Sequence, residues 1–229
     1  MANSSWMRLP SRWIDQHGLT QLSWHHGGGG SDNTAALMAL TVIAHEIDSE
    51  TGIARVTYDR ICNLTGLSRA KLANGLNILR DIGVINSESP ETRSTYALSE
   101  YNEGAWGKFP VKSMYSSGRI IAFDEFRLRK VVELDALKLF FLFVARRDQK
   151  TNLANIGYEK IEEYSGVRRV RIKSAISFLA SLSLVYVEHL RSQSNDYGVS
   201  NAYRIVGIDP RINMATRGRN LEILGVGGT

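Results

Sequence analysis

The chain has 229 residues, 43% of them hydrophobic and 22% charged, with a formal net charge of +5. That length and composition suit a folded chain of two domains of about 100 residues, each able to bury a core without staples. A single cysteine, Cys62, excludes an internal disulfide framework and fits a reducing cytoplasm; the richest apolar run, Leu139 to Ala145, is too short for a bilayer, and the start lacks the apolar stretch of a signal peptide.

Charge is held unevenly. Residues 1–100 carry 8 Lys and Arg against 10 Asp and Glu, whereas residues 101–229 carry 20 against 13, so the second half favours a polyanionic partner.

The chain opens with Trp6 to Trp13, whose W-x-[RK]-apolar-P-x-[RK] pattern returns at Trp106 to Lys112. The pattern predicts edge strands with the tryptophan and the leucine or phenylalanine packed under helices, proline barring a central position. A short interaction motif is the other reading. His25-His26 followed by Gly27 to Gly30 reads as a flexible loop, with too few ligand-like neighbours for a metal site.

Leu37, Leu40, Ala44 and Ile47 then recur at helical spacing, predicting a helix over 33–47 with Ser31 or Asp32 as its cap. After the polar break DSETGIA, a short strand is expected at Arg55 to Thr57, then a helix from Tyr58 to Leu64. Thr65-Gly66-Leu67-Ser68 reads as a tight turn: glycine takes positive φ, Leu67 plugs the core and Ser68 caps a third helix from Arg69 to about Ile82. Gly83 ends that helix before Val84-Ile85, and Thr95 to Leu98 is a strand candidate.

Residues 56–85 align without a gap to residues 156–185. Tyr58, Ile61, Gly66, Arg69 and Leu79 meet Tyr158, Ile161, Gly166, Arg169 and Leu179. The second copy differs in three respects. Its first helix, Asp135 to Arg147, is apolar nearly all round and must be covered on several sides, by the first copy or by a second chain in a homodimer. Arg168 and Ser183 replace the serine cap and the stop glycine. Its strands, Leu184 to His189 and Ala202 to Val206, make the longer hairpin. The expected fold class is mainly α with small β-hairpins (α+β), in two domains, 1–103 and 104–208, followed by a flexible basic tail, 209–229.

A helix, a tight turn, a third helix and a hairpin together resemble the winged-helix family. Leu67-Ser68-Arg69 and the exit Leu79 to Ile85 resemble bacterial and mobile-element helix-turn-helix transcription regulators over about 50 residues of each half. The tandem arrangement is similar in architecture to plasmid replication initiators. The resemblance implies two tandem winged-helix domains from an internal duplication, binding double-stranded DNA without a cofactor.

In such a fold the start of the third helix meets a major groove. The candidate DNA-binding residues are Ser68, Arg69, Lys71 and Asn74 in the first copy, and Arg168, Arg169, Arg171, Lys173 and Ser174 in the second. Arg93 and Arg191 belong to the two wings, and Arg211, Arg217 and Arg219 of the tail add backbone contacts. Arg69 and Asn74 suit guanine and adenine edges. Cys62 reads as a half-buried, idle thiol, and none of the five histidines recurs in both copies, so no catalytic or metal arrangement is expected. The resulting expectation is a cytoplasmic, nucleoid-associated transcription regulator. A plasmid or phage replication initiator and a winged-helix protein-interaction adaptor are the alternatives.

Overall fold

A computed structural model describes residues 5–24, 29–86, 94–191 and 199–208. In the first half come β1 (Trp6–Pro10), a short α1 (Arg12–Asp15), a 3₁₀ turn (Gly18–Gln21), α2 (Gly30–His45), β2 (Ile53–Arg55), α3 (Tyr58–Thr65), α4 (Arg69–Asp81), β3 (Ile85–Asn86) and β4 (Thr95–Leu98). The second half has β5 (Trp106–Pro110), β6 (Tyr115–Ser116), β7 (Arg119–Ile120), α5 (Val131–Arg146), β8 (Leu153–Asn155), α6 (Tyr158–Ser165), α7 (Arg169–Ser181), β9 (Val185–Arg191) and β10 (Val199–Ile205). The fold is mixed α+β, with small antiparallel sheets in the orders β1-β5, β2-β4-β3, β6-β7 and β8-β10-β9.

The turn between the second and third long helices is built alike in both halves. Gly66 and Gly166 take φ of 73° and 68°, which only glycine adopts without strain. The hydroxyls of Thr65 and Ser165 donate to the carbonyls of Ile61 and Ile161 at 2.7 and 2.5 Å, and accept from Leu67 N–H and Val167 N–H. Leu67 and Val167 thereby enter the core. Ser68 caps α4 by accepting from Lys71 N–H at 3.3 Å, whereas Arg168, at the same place before α7, makes no side-chain cap bond.

Three expectations need correction. α2 starts at Gly30 after Gly29 rather than after a Ser31 or Asp32 cap, and it is buried on all sides from Asp32 to His45, not on one stripe. Its alanine-rich surface lets α4 and α5 approach it closely, which an amphipathic reading did not anticipate. The strand after it covers 53–55, earlier than the predicted 55–57. Trp6 and Trp106 do not pack under helices: they stack on each other, ring centroids 5.8 Å apart and planes 10° from parallel, while Leu9 and Phe109 take the buried positions.

That stack belongs to a symmetric ribbon. β1 and β5 pair antiparallel with Trp6 opposite Pro110, Arg8 opposite Lys108 and Pro10 opposite Trp106. Residues 100 apart in sequence are therefore related by a local two-fold axis through the Arg8–Lys108 pair. The flanking bonds obey it, Ser11 N–H donating to Ala105 and Val111 N–H to Ser5, both at 2.9 Å. So do the cations, with Arg8 over the Trp106 ring at 5.2 Å and Lys108 over the Trp6 ring at 4.5 Å. Such reciprocity is the geometry of an isologous contact, here between two segments of one chain.

Beyond the ribbon the two leading segments cross over. After β1, Trp13 meets Phe141 of α5 edge-on at 6.3 Å, Asp15 pairs with Arg146 at 3.0 Å, and His17 stacks on Tyr164 of α6 at 4.8 Å. After β5, the carbonyl of Pro110 and the hydroxyl of Tyr115 bond the imidazole of His45 on α2, both at 2.9 Å, and β7 lies against α3. Each half's leading segment thus packs on the other half, and α2 packs against α5 between them. The all-round apolar α5 is covered by these neighbours, and Phe140, Phe141 and Phe143 are fully buried.

Candidate nucleic-acid interface

The third long helix of each half packs its inner face on α2 or α5. In α4 the buried positions are Leu72, Gly75, Leu76 and Leu79; in α7 they are Ile172, Ala175, Ile176 and Leu179. At 100° per residue the opposite face is 70, 74 and 77 in one helix and 170, 174 and 177 in the other. All six, Ala70, Asn74, Asn77, Val170, Ser174 and Ser177, are exposed, as is Lys173 on the shoulder of α7.

Against this geometry the candidate residues separate into two sets. Arg69, Ser68, Arg168, Arg169, Lys173, Asn74 and Ser174 lie at the exposed start or on the outward face of their helices. Lys71 and Arg171 do not. The Lys71 ammonium donates to Asp32 Oδ1 and Ser31 Oγ, both at 2.7 Å, and Asn74 Nδ2 reaches Asp32 Oδ2 at 3.3 Å. The Asp32 side chain is 7% exposed and needs that cation. Arg171 forms an ion pair with Asp135, its Nη2 donating to Oδ1 at 3.2 Å and its Nε lying 2.9 Å from Oδ2. One cation of each third helix is therefore spent on fastening it to the first long helix of its half. The acids sit at different registers, Asp32 and Asp135, so the fastening recurs although the sequence offset does not.

Behind Arg171, burial raises the Asp135 carboxyl above its usual range and lowers the Lys138 ammonium to about 8. Lys138 donates to the Leu22 carbonyl at 2.6 Å. A cleft of about 240 Å³, lined among others by Thr20, Trp24, Lys138, Arg168 and Arg171, runs from this cluster to the start of α7.

The two exposed starts differ in charge. Arg69 Nη2 lies 2.5 Å from Asp59 Oδ1, so its charge is met within the chain. Among the described residues Arg168, Arg169 and Lys173 form no ion pair, leaving three unmatched cations around the first turns of α7. The hairpins are unequal as well: β9 and β10 pair over seven residues, β3 and β4 over two. Arg191 ends β9, its side chain lying outside the described atoms; Arg93, Arg211, Arg217, Arg219, His25 and His26 also lie outside the described residues. Cys62 is half-buried on α3, where burial pushes its thiol up. No helix among the described residues is long and apolar enough to cross a membrane.

Asn77 and Ser177 were not among the residues singled out in the sequence, although the phase of the buried leucines and isoleucines assigns them, with Ala70 and Val170, to the outward face. A scan against protein-family models and a search of curated proteins found no match.

Proposed function

We propose that the chain binds double-stranded DNA as a sequence-specific regulator of transcription, presenting two winged-helix units in one chain with α4 and α7 as recognition helices. The observation that carries this reading is the outward face of α7, where a polar and apolar stripe is bordered by Arg168, Arg169 and Lys173, cations that no carboxylate of the described residues neutralises. Cations at the rim suit phosphates, and short side chains between them suit base edges. The α4 face, with Asn74 and Asn77 exposed and Arg69 half-occupied by Asp59, suits sequence reading at lower charge. The unit comprising α3, its turn, α4 and the β2-β4-β3 sheet has its counterpart in α6, α7 and β8-β10-β9, as tandem winged helices require.

We extend the local two-fold axis of the β1-β5 ribbon, through Arg8 and Lys108, to the two recognition helices. Recognition helices related by a two-fold axis read half-sites of opposite polarity, as in a homodimer on a palindrome. The bound sequence is accordingly an imperfect inverted repeat, imperfect because Ala70, Asn74 and Asn77 differ from Val170, Ser174 and Ser177.

Selection of a randomised duplex library with the purified protein, read by sequencing, tests the proposal. The expected product is a two-part inverted motif whose affinity falls roughly tenfold or more over a few-fold rise in salt. Recovery of no motif and no salt-dependent binding would overturn it and leave a protein-interaction adaptor. A motif lying in an origin rather than beside promoters would assign the chain to replication initiation instead.

A further inference from the structure

Val170 is the one large apolar side chain on the outward face of either third helix, and its 86% exposure leaves it almost wholly in water. No described residue buries it. A β-branched residue at an exposed helical position lowers helix stability slightly, and here no packing compensates. Its surroundings are specific: Arg169 precedes it, Lys173 and Ser174 stand one turn on, and the Ser177 hydroxyl side follows after two turns. An apolar knob between cations on the first turn of a groove-facing helix has one natural counterpart on DNA. The rims of a major groove are phosphate, its floor is polar base edge, and the only apolar group the floor offers is the thymine C5-methyl.

We propose that Val170 is a specificity-determining residue that packs on a thymine methyl in the half-site bound by α7, an inference that rests on the DNA-binding reading above. Arg168, Arg169 and Lys173 hold the backbone on either side, and the valine selects thymine over cytosine at one position by covering a methyl group that cytosine lacks. Ala70 stands at the equivalent place on α4 with a smaller apolar surface, so the first half-site discriminates less at the matching position.

The test uses the full chain and a duplex recovered from the randomised library. Each thymine is replaced in turn by deoxyuridine, which removes the methyl and keeps every hydrogen-bonding group. With the parent protein, one substitution in one half-site weakens binding about fourfold, the effect of one buried methyl group. Val170→Ser binds the unmodified duplex more weakly by a similar factor and no longer distinguishes thymine from deoxyuridine there. Because the side chain is at the surface, the variant keeps the parent's melting temperature, and changed affinity reads contact rather than folding. If no deoxyuridine matters, or if it costs Val170→Ser as much as the parent, the assignment of Val170 fails while DNA binding stands. If the library yields no motif, the DNA reading fails and the assignment fails with it.

Discussion

Asp59 holds the guanidinium of Arg69 at 2.5 Å across the turn between α3 and α4, while Arg169, the matching residue of α7, has no such carboxylate among the described residues although Glu159 stands at the equivalent place. Both partners of the first pair are about 70% exposed, so the pair contributes little to stability. Its effect bears on the proposed DNA binding: a phosphate or base approaching Arg69 would compete with Asp59, which would also repel a nucleic-acid backbone. Asp59→Asn is therefore expected to strengthen binding to unrelated duplexes and to steepen the salt dependence by about one unit of slope. Fluorescence anisotropy over a salt series measures both, and an unchanged slope would show that Arg69 takes no part.

Lys71 carries the opposite expectation. Its ammonium compensates the buried Asp32 at the base of α2, with Ser31 completing the arrangement. Lys71→Met leaves that carboxylate with only the weak contact from Asn74 and is expected to cost about 2 kcal/mol of folding stability. Denaturant unfolding reads the loss directly. Loss of DNA affinity with unchanged stability would reassign Lys71 to the interface.

Gly83 and Ser183 close the third helices in the same way, with φ of 71° and 54° and N–H bonds to Arg80 and Ala180 at 2.9 and 3.0 Å. A left-handed serine is strained by about 1 kcal/mol relative to glycine. Ser183→Gly should thus stabilise the chain by roughly that amount, and Gly83→Ser should destabilise it equally. Thermal melts of the two variants, moving in opposite directions, check the pair.

The local chain chemistry that made these turns was legible in the sequence. Gly66, Ser68 and the spacing of Leu72, Leu76 and Leu79 act within a few residues of themselves, so the turn, the cap and the third helix fall where expected. The roles of Lys71 and Arg171 were not legible, because they depend on which acid of α2 or α5 lies across a helix crossing, and Asp32 and Asp135 occupy different registers. Nor could the pairing of β1 with β5 be read. Both W-x-[RK]-x-P segments are edge strands by composition, and only the ribbon, with each cation over the other segment's tryptophan, selects one as the partner of the other.

His45 supplies a pH dependence. Its Nε2–H donates to the Pro110 carbonyl, leaving Nδ1 to accept from the Tyr115 hydroxyl, and burial lowers its pKa to about 3. In the unfolded chain the imidazole returns to about 6.5, so below that pH the unfolded state binds a proton that the folded state refuses. Stability is full above pH 6.5 and falls as pH drops from there toward 3, at up to about 1.4 kcal/mol per unit. His45→Gln, which keeps a donor for Pro110 and cannot titrate, should flatten urea-unfolding stability between pH 7 and 5.5. A parent protein already flat in that window would contradict the buried neutral imidazole.

The exchanged leading segments decide how the chain unfolds. Phe109 belongs to the strand that opens the second half, yet its ring lies 5.2 Å from His45 of α2 as well as 5.5 and 5.1 Å from Phe140 and Phe141 of α5. Trp13 and His17 make the reverse crossing onto α5 and α6. Two units joined end to end would melt separately, each with its own enthalpy, and a core substitution in one would leave the other's transition in place. Here neither half retains a complete core without the other's segment. Calorimetry should accordingly show one transition whose van't Hoff and calorimetric enthalpies agree. Phe109→Ala should lower that single transition by the equivalent of about 3–5 kcal/mol rather than split it. A variant melting in two steps, with one step at the parent's temperature, would mean that the halves hold themselves together and that the exchange only decorates them.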